Sequence, residues 1–123
     1  MATIETLLDD DLRGVGECSL ITTGRSTGRP HEIPIWFAAV ADRVFMLAGG
    51  REKAHWVRNL QADPIVRVRI RGRTFEGHGR AVEGDADDPV VREAIAAKYG
   101  TRWLTRWLRE ALPVRIDLVR EVT

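Results

Sequence analysis

One cysteine, Cys18, stands among the 123 residues. That excludes an internal disulfide and any cysteine-rich metal site, and it agrees with a reducing compartment. Long hydrophobic runs are missing as well: nothing approaches the roughly 20 apolar residues that a membrane-spanning helix needs. The N-terminus, MATIETLLDDDLRGVG, lacks the basic start and apolar centre of a secretory signal. A cytoplasmic location is therefore expected. An excess of one charge is also absent, since nineteen basic residues stand against eighteen acidic ones. A net charge of +1 is no argument for a polyanionic partner. The histidines His31, His55 and His78 lie more than twenty residues apart with no paired cysteine, so no metal site is expected. Neither a Ser-His-Asp order nor paired carboxylates in an apolar setting can be picked out, which leaves hydrolytic chemistry without support.

What is present suits an ordinary globular chain, 44% hydrophobic and 30% charged. Its length leaves room for one core, so residues 1–123 are expected to form a single domain. Residues 17–22 read as a short apolar strand. His31 to Val40 reads as another, with Pro34 tolerable only at an edge or a bulge. Ala41-Asp42 makes a tight turn into Arg43 to Ala48, apolar on both faces and ended by Gly49-Gly50, so the first half reads as an antiparallel meander. From Arg51 to Ala62 the period changes, placing Trp56, Asn59 and Leu60 on one face of a short helix that Asp63-Pro64 terminates. Ile65, Val66, Val68 and Ile70 alternate with Arg67, Arg69 and Arg71, as in a strand with one solvated face, and Thr74 to Val82 returns antiparallel to it. Asp85 to Asp88 with Pro89 starts a helix that runs to Gly100, a second covers Thr101 to about Ala111, and Pro113 to Val122 makes the last strand. About six mostly antiparallel strands, a short inserted helix and C-terminal helices predict a mainly β, α+β fold, a small barrel with helical additions.

Three stretches carry chemistry. TTGRSTGRP, Thr22 to Pro30, combines Gly24 and Gly28, which allow tight turning and close approach, with four hydroxyls and the forked charges of Arg25 and Arg29. Those ingredients suit a phosphate or carboxylate, and they suit equally a polar hairpin turn whose arginines face water. In REKAHWVRNLQADP, Trp56 is placed either to cover a flat ligand or to pack in the core beside Leu60. VRVRIRGR, with Trp103 and Trp107 as stacking groups, is open to a nucleic-acid reading, against which stand the near-zero net charge and the commonness of solvated arginine faces. What remains is a site with no evident acid, base or nucleophile, equipped to hold an anion and a ring. Such a site suits a cofactor that carries the chemistry itself.

The run SLITTGRSTGRPHEIPIWFAAVADRVFMLAGG, followed by HWVRNLQADPIVRVRI, resembles the deazaflavin-dependent nitroreductase family of split β-barrel proteins, related to pyridoxamine 5′-phosphate oxidase-like barrels. The resemblance covers about Ser19 to Ile70 and rests on two motifs together, Thr-Thr-Gly-Arg-x-Thr-Gly and Trp-x-x-Asn-Leu ending in Asp-Pro. It implies coenzyme F420, a deazaflavin with a phosphate and a polyglutamate tail. Carried over to this sequence, Arg25, Ser26 and Thr27 would sit at the phosphate and tail, Trp36 near the ring, Gly49, Gly50 and Arg51 close to the phosphate, and His55 and Trp56 beside the deazaflavin. Ser26 and His31 stand where strongly binding members often carry basic residues, and Tyr99 stands for the family's C-terminal tyrosines, with Trp103 and Trp107 as substitutes. The implied activity is an oxidoreductase passing hydride to a small planar electrophile, a quinone, enone or nitro compound, with Tyr99 or a nearby histidine as proton donor and a homodimer as the assembly. FMN in the same pocket is the alternative cofactor, and a flavin- or deazaflavin-binding protein without turnover is the alternative function.

Overall fold

Strand-forming alternation dominates the chain, and strands dominate the computed structural model, which describes residues 7–101 and 105–122. The elements run α1 (Asp10–Arg13), β1 (Glu17–Thr23), β2 (Pro30–Trp36), β3 (Ala38–Val40), β4 (Arg43–Ala48), a 3-10 turn (Arg51–Lys53), α2 (His55–Ala62), β5 (Ile65–Ile70), β6 (Arg73–Ala81), α3 (Asp87–Tyr99), α4 (Thr105–Glu110) and β7 (Leu112–Val122). All seven strands join one sheet in the order β2-β1-β5-β6-β7-β4-β3, each neighbouring pair antiparallel.

The expected strand over 31–40 is thus two strands at opposite edges of the sheet, parted at Phe37. The meander expected for the first half does not form: β1 pairs β2, β3 pairs β4, and the chain crosses between the two edges in one residue. That crossing demands a sheet curled until its edges meet at Phe37. Pro34 lies on β2, an edge strand, opposite Ser19, where its missing N–H costs no ladder bond. Below Phe37, β2 and β4 lie close without pairing, so the barrel is split along that seam.

The interior core gathers Leu20, Val44, Met46, Val68, Phe75 and Ile116 with Trp56, Val57 and Leu60 of α2. A second core lies outside, where Phe45 and Leu47 meet Val91 and Ile95 of α3 and Leu108 of α4. β4 is apolar on both faces because each face meets a different core. On β5 the burial alternates cleanly, and Ile65 falls on the solvated face at 49% exposure rather than with Val66, Val68 and Ile70. The acids before Pro89 start the helix without capping it. The N-cap is Ala86, without a side-chain bond, while Asp88 accepts from the Gly84 N–H at 2.8 Å and Asp85 from the Asp87 N–H at 2.7 Å. The α1 turn was not expected; Asp9 caps it through the Leu12 N–H at 2.9 Å, and Leu8 and Leu12 bury against the barrel.

Two outcomes follow. Gly77 sits beside the bulge between β6 and β7, where an added Cβ would come within 2.8 Å of both the Asp117 carbonyl and the Ile116 Cγ2. Because a backbone atom cannot swing aside, Gly77→Ala lowers stability by about 1–3 kcal/mol in denaturant titration. Cys18 is buried at 4% exposure, and burial pushes its thiol from 9.0 up to about 12. Between those pH values only the unfolded chain has lost this proton, so stability falls as pH rises, with a slope approaching roughly 1.4 kcal/mol per pH unit. Cys18→Ala flattens that alkaline decline, as measured by stability curves from pH 8 to 11.

Candidate functional site

The hairpin between β1 and β2 is folded by its own backbone. The Gly24 N–H donates to the Arg29 carbonyl and the Gly28 N–H to the Gly24 carbonyl, each at 2.8 Å, and Gly28 takes φ +71°. A Cβ on Gly24 would meet Thr27 Oγ1 at 2.7 Å and the Arg29 carbonyl at 3.1 Å, so glycine is needed for the loop to close. The turn lies against the start of α2. Arg25 donates through Nη1 to Asn59 Oδ1 at 2.7 Å and meets His55 Nδ1 through Nη2 at 3.1 Å, while its backbone N–H donates to the same Asn59 oxygen at 3.2 Å.

Asn59 is 2% exposed, and its amide donates to Thr22 Oγ1 at 3.2 Å, itself 1% exposed. This buried pair fastens α2 to β1 and sets where Arg25 stands. Around it lies a cavity of about 230 Å³ lined by Gly24, Arg25, Ser26, Thr27, His31, His55 and Asn59. The N-terminus of α2 has no side-chain cap. Its unmet N–H groups add positive potential beside Arg25. Arginine, two hydroxyls, two histidines and an open helix end form a donor set that fits a phosphate.

The seam continues from this cluster. Gly50 packs against Ala54, just before His55, and Gly49 packs against the Trp107 indole. Trp107 meets Trp36 edge-on with ring centroids 6.1 Å apart, and Trp36 stacks on Tyr99 at 4.7 Å and 12°. Trp36 is 42% exposed. Since β2 runs from the hairpin to Trp36 in six residue steps, the anion cluster and the aromatic cluster stand about 20 Å apart along one strand.

Tyr99 is bound at both sides of the Phe37 break. Its hydroxyl accepts from the Phe37 N–H at 3.1 Å and lies 2.7 Å from the Phe37 carbonyl and 2.6 Å from the Gly16 carbonyl, one of which takes its proton. Burial raises its pKa. Lys98 Nζ donates to the Val15 and Phe37 carbonyls at 2.6 and 2.8 Å, and burial lowers its pKa. The C-terminal end of α3 thus supplies the hydrogen bonds that the sheet drops at Phe37.

Of the residues singled out in the sequence, Arg25, Ser26, Thr27 and His55 come together at the anion end, Trp36 and Tyr99 at the aromatic end, and Gly49 and Gly50 between. Trp56 packs into the interior core at 8% exposure, beneath the site rather than in its lining. Arg51 turns its guanidinium to Glu83, at 2.6 Å from both carboxylate oxygens. Trp103 lies outside the described residues. The buried role of Asn59 goes beyond what the sequence motifs assign it, and its place on one helical face with Trp56 and Leu60 is the one signal of burial. Among the described residues no group of three or more His, Cys, Asp or Glu is placed to hold a metal ion, and no helix is long and apolar enough to cross a membrane. A larger groove, about 660 Å³, crosses the outer face of β1 and β5, and Arg69 within it is paired with Glu32 at 3.1 Å.

The architecture is that of a split β-barrel, with the donor cluster beside its open seam. Solved structures with this fold include a conserved hypothetical protein from Mycobacterium tuberculosis (21% identity over 98% of this chain and 87% of that one, TM-score 0.72). They also include the F420-H2 dependent reductase FDR-A (21% identity, 83% and 93% covered, TM-score 0.67). A third is a FAD-binding protein from Mesorhizobium loti (16% identity, 89% and 84% covered, TM-score 0.67). At these identities the likeness is one of fold. The family model of F420H(2)-dependent quinone reductases matches residues 5–118, and the chain belongs to that family. It is accordingly an F420-dependent oxidoreductase.

Asn59→Ala leaves the Thr22 hydroxyl unpaired in the core and frees Arg25, which lowers stability by roughly 2 kcal/mol. In a Thr22→Val background the same change costs less, because no buried hydroxyl is then abandoned. Thermal melts of the four proteins read both effects.

Proposed function

We infer that this protein reduces a small planar acceptor, a quinone before an enone or nitro compound, at the aromatic end of the seam. The observation that carries the reading is the pairing, along one strand, of a phosphate-fitting donor cluster with an exposed aromatic cluster. Bound reduced F420 supplies the hydride. Arg25, Ser26 and Thr27 take the phosphate by charge-assisted and hydroxyl hydrogen bonds, with His55 beside them. Gly49 and Gly50 keep the wall between the two ends free of side chains. The exposed face of Trp36 offers a flat apolar surface for a ring.

In this reading Tyr99 orients Trp36 by stacking. Its hydroxyl would have to leave the Gly16 and Phe37 carbonyls before handing a proton to an acceptor, and its raised pKa keeps it protonated near neutral pH. Orientation is therefore the role assigned to it, and the acceptor's proton comes from solvent reaching the open seam, since His55 stands at the anion end. A homodimer belongs to the proposal from resemblance alone and is read by light scattering.

The test is a side-by-side titration of the purified protein with F420 and FMN, followed by fluorescence and calorimetry. F420 binds more tightly than FMN, and Arg25→Ala weakens F420 about ten- to a hundredfold while leaving the fold intact by circular dichroism. Equal affinity of Arg25→Ala and the parent protein would sink the anion-end assignment, and failure of any quinone to oxidise F420H2 in the protein's presence would sink the activity.

A further inference from the structure

Arg51 stands on the wall between the two ends of the seam, yet its charge is turned away from the cavity that fits an anion. Besides gripping Glu83, it donates through Nη1 to the carbonyl of Glu110, the last residue of α4. Glu83 also lies 3.9 Å from Arg92, whose Nη1 donates to the Leu108 carbonyl at 2.6 Å. Two arginines bridged by one carboxylate thus take two of the carbonyls that the end of α4 leaves without helical partners. Cations are favoured there for that reason.

The backbone agrees. Arg51 holds φ +52°, a left-handed conformation uncommon for side chains with a Cβ. Such a conformation persists where surrounding contacts over-determine it, and it clusters at functional sites. Here the contacts are Glu83 and Glu110.

What they hold in place is Trp107. α4 is six residues long, far too short to be helical by itself in water. It is docked by Leu108 in the outer core and by the two arginines at its end. Trp107, in the same turn, lies against Gly49 and edge-on to Trp36. We propose that Arg51 is a positioning residue for the acceptor: through Glu83 and the end of α4 it fixes Trp107 against Trp36 and so sets the fit of a planar ring. The inference rests on the acceptor site described under Proposed function. It departs from the expectation that Arg51 serves the cofactor phosphate, because that role would require breaking the grip on Glu83.

The two roles separate in Arg51→Gln, Arg51→Lys and Glu83→Gln, assayed for F420 affinity, for kcat and KM with menadione, and for amide hydrogen exchange in residues 105–111. Arg51→Gln and Glu83→Gln each raise the menadione KM about three- to tenfold, with kcat and F420 affinity held within about twofold, and both speed exchange in α4. Arg51→Lys, which keeps a cation for the α4 carbonyls, recovers part of the loss. Weakening of F420 by about tenfold in Arg51→Gln with no effect of Glu83→Gln on KM overturns the proposal and makes Arg51 a cofactor ligand. Parent protein that binds no F420 refutes the acceptor site instead. Exchange then decides the clasp: faster exchange in Glu83→Gln upholds the hold on α4, and unchanged exchange overturns it.

Discussion

The bond between Asn59 and Thr22 is the one on which the site depends. Both side chains are sealed from water, so each must find its partner inside the protein or pay a desolvation penalty. Asn59 meets that demand by donating to Thr22 and presenting its oxygen to Arg25, which receives it through backbone and guanidinium together. An arginine on a glycine-rich turn would otherwise lose several rotatable bonds' worth of entropy on meeting an anion. Held in advance by Asn59 and His55, it meets one with much of that loss already absorbed in folding.

The second dependence is topological. A sheet whose two edge strands are consecutive in the chain must curl until they meet, as these do at Phe37. Backbone groups abandoned at that break are met by Tyr99 and Lys98, so the end of α3 is tied to the place where the seam begins. The open seam and its closure are therefore consequences of the same residue. This explains why Trp36, immediately before the break, combines high exposure with a fixed ring: its backbone ends a strand, while its face is stacked on the tyrosine that repairs the gap.

Much of this was legible in the sequence. Alternation from Val66 in β5 and from Val114 to Leu118 in β7, with the double glycine after β4, marked strands and their ends, and the opening turn displayed its donors in a row. The two Asx-like acids near Pro89 marked a helix start correctly but not its cap, because neighbouring N–H groups compete for the same carboxylates. The split at Phe37 was hidden, since an apolar run reads the same whether it continues in one strand or passes from one sheet edge to the other. α1 was hidden because four residues are too few to show a period. Least legible were the partners of Arg51, since Glu83 and Glu110 are 32 and 59 positions away and only folding brings them near.

On the proposed reading, Arg51 and Arg25 also differ in role although both are basic residues beside a glycine. Each is immobilised by hydrogen bonds. They differ in the charge of what immobilises them. Arg25 is held by an amide oxygen and an imidazole, which leave its positive charge uncompensated for an incoming anion. Arg51 is held by a carboxylate, both oxygens of which accept from its Nη2, so its charge is already met within the protein. The choice of holding group therefore divides one seam into a wall that attracts anions and a wall that does not. On the proposed reading, the charged part of an elongated cofactor then lies at the hairpin, and the tryptophans are left for its ring and for whatever accepts from it.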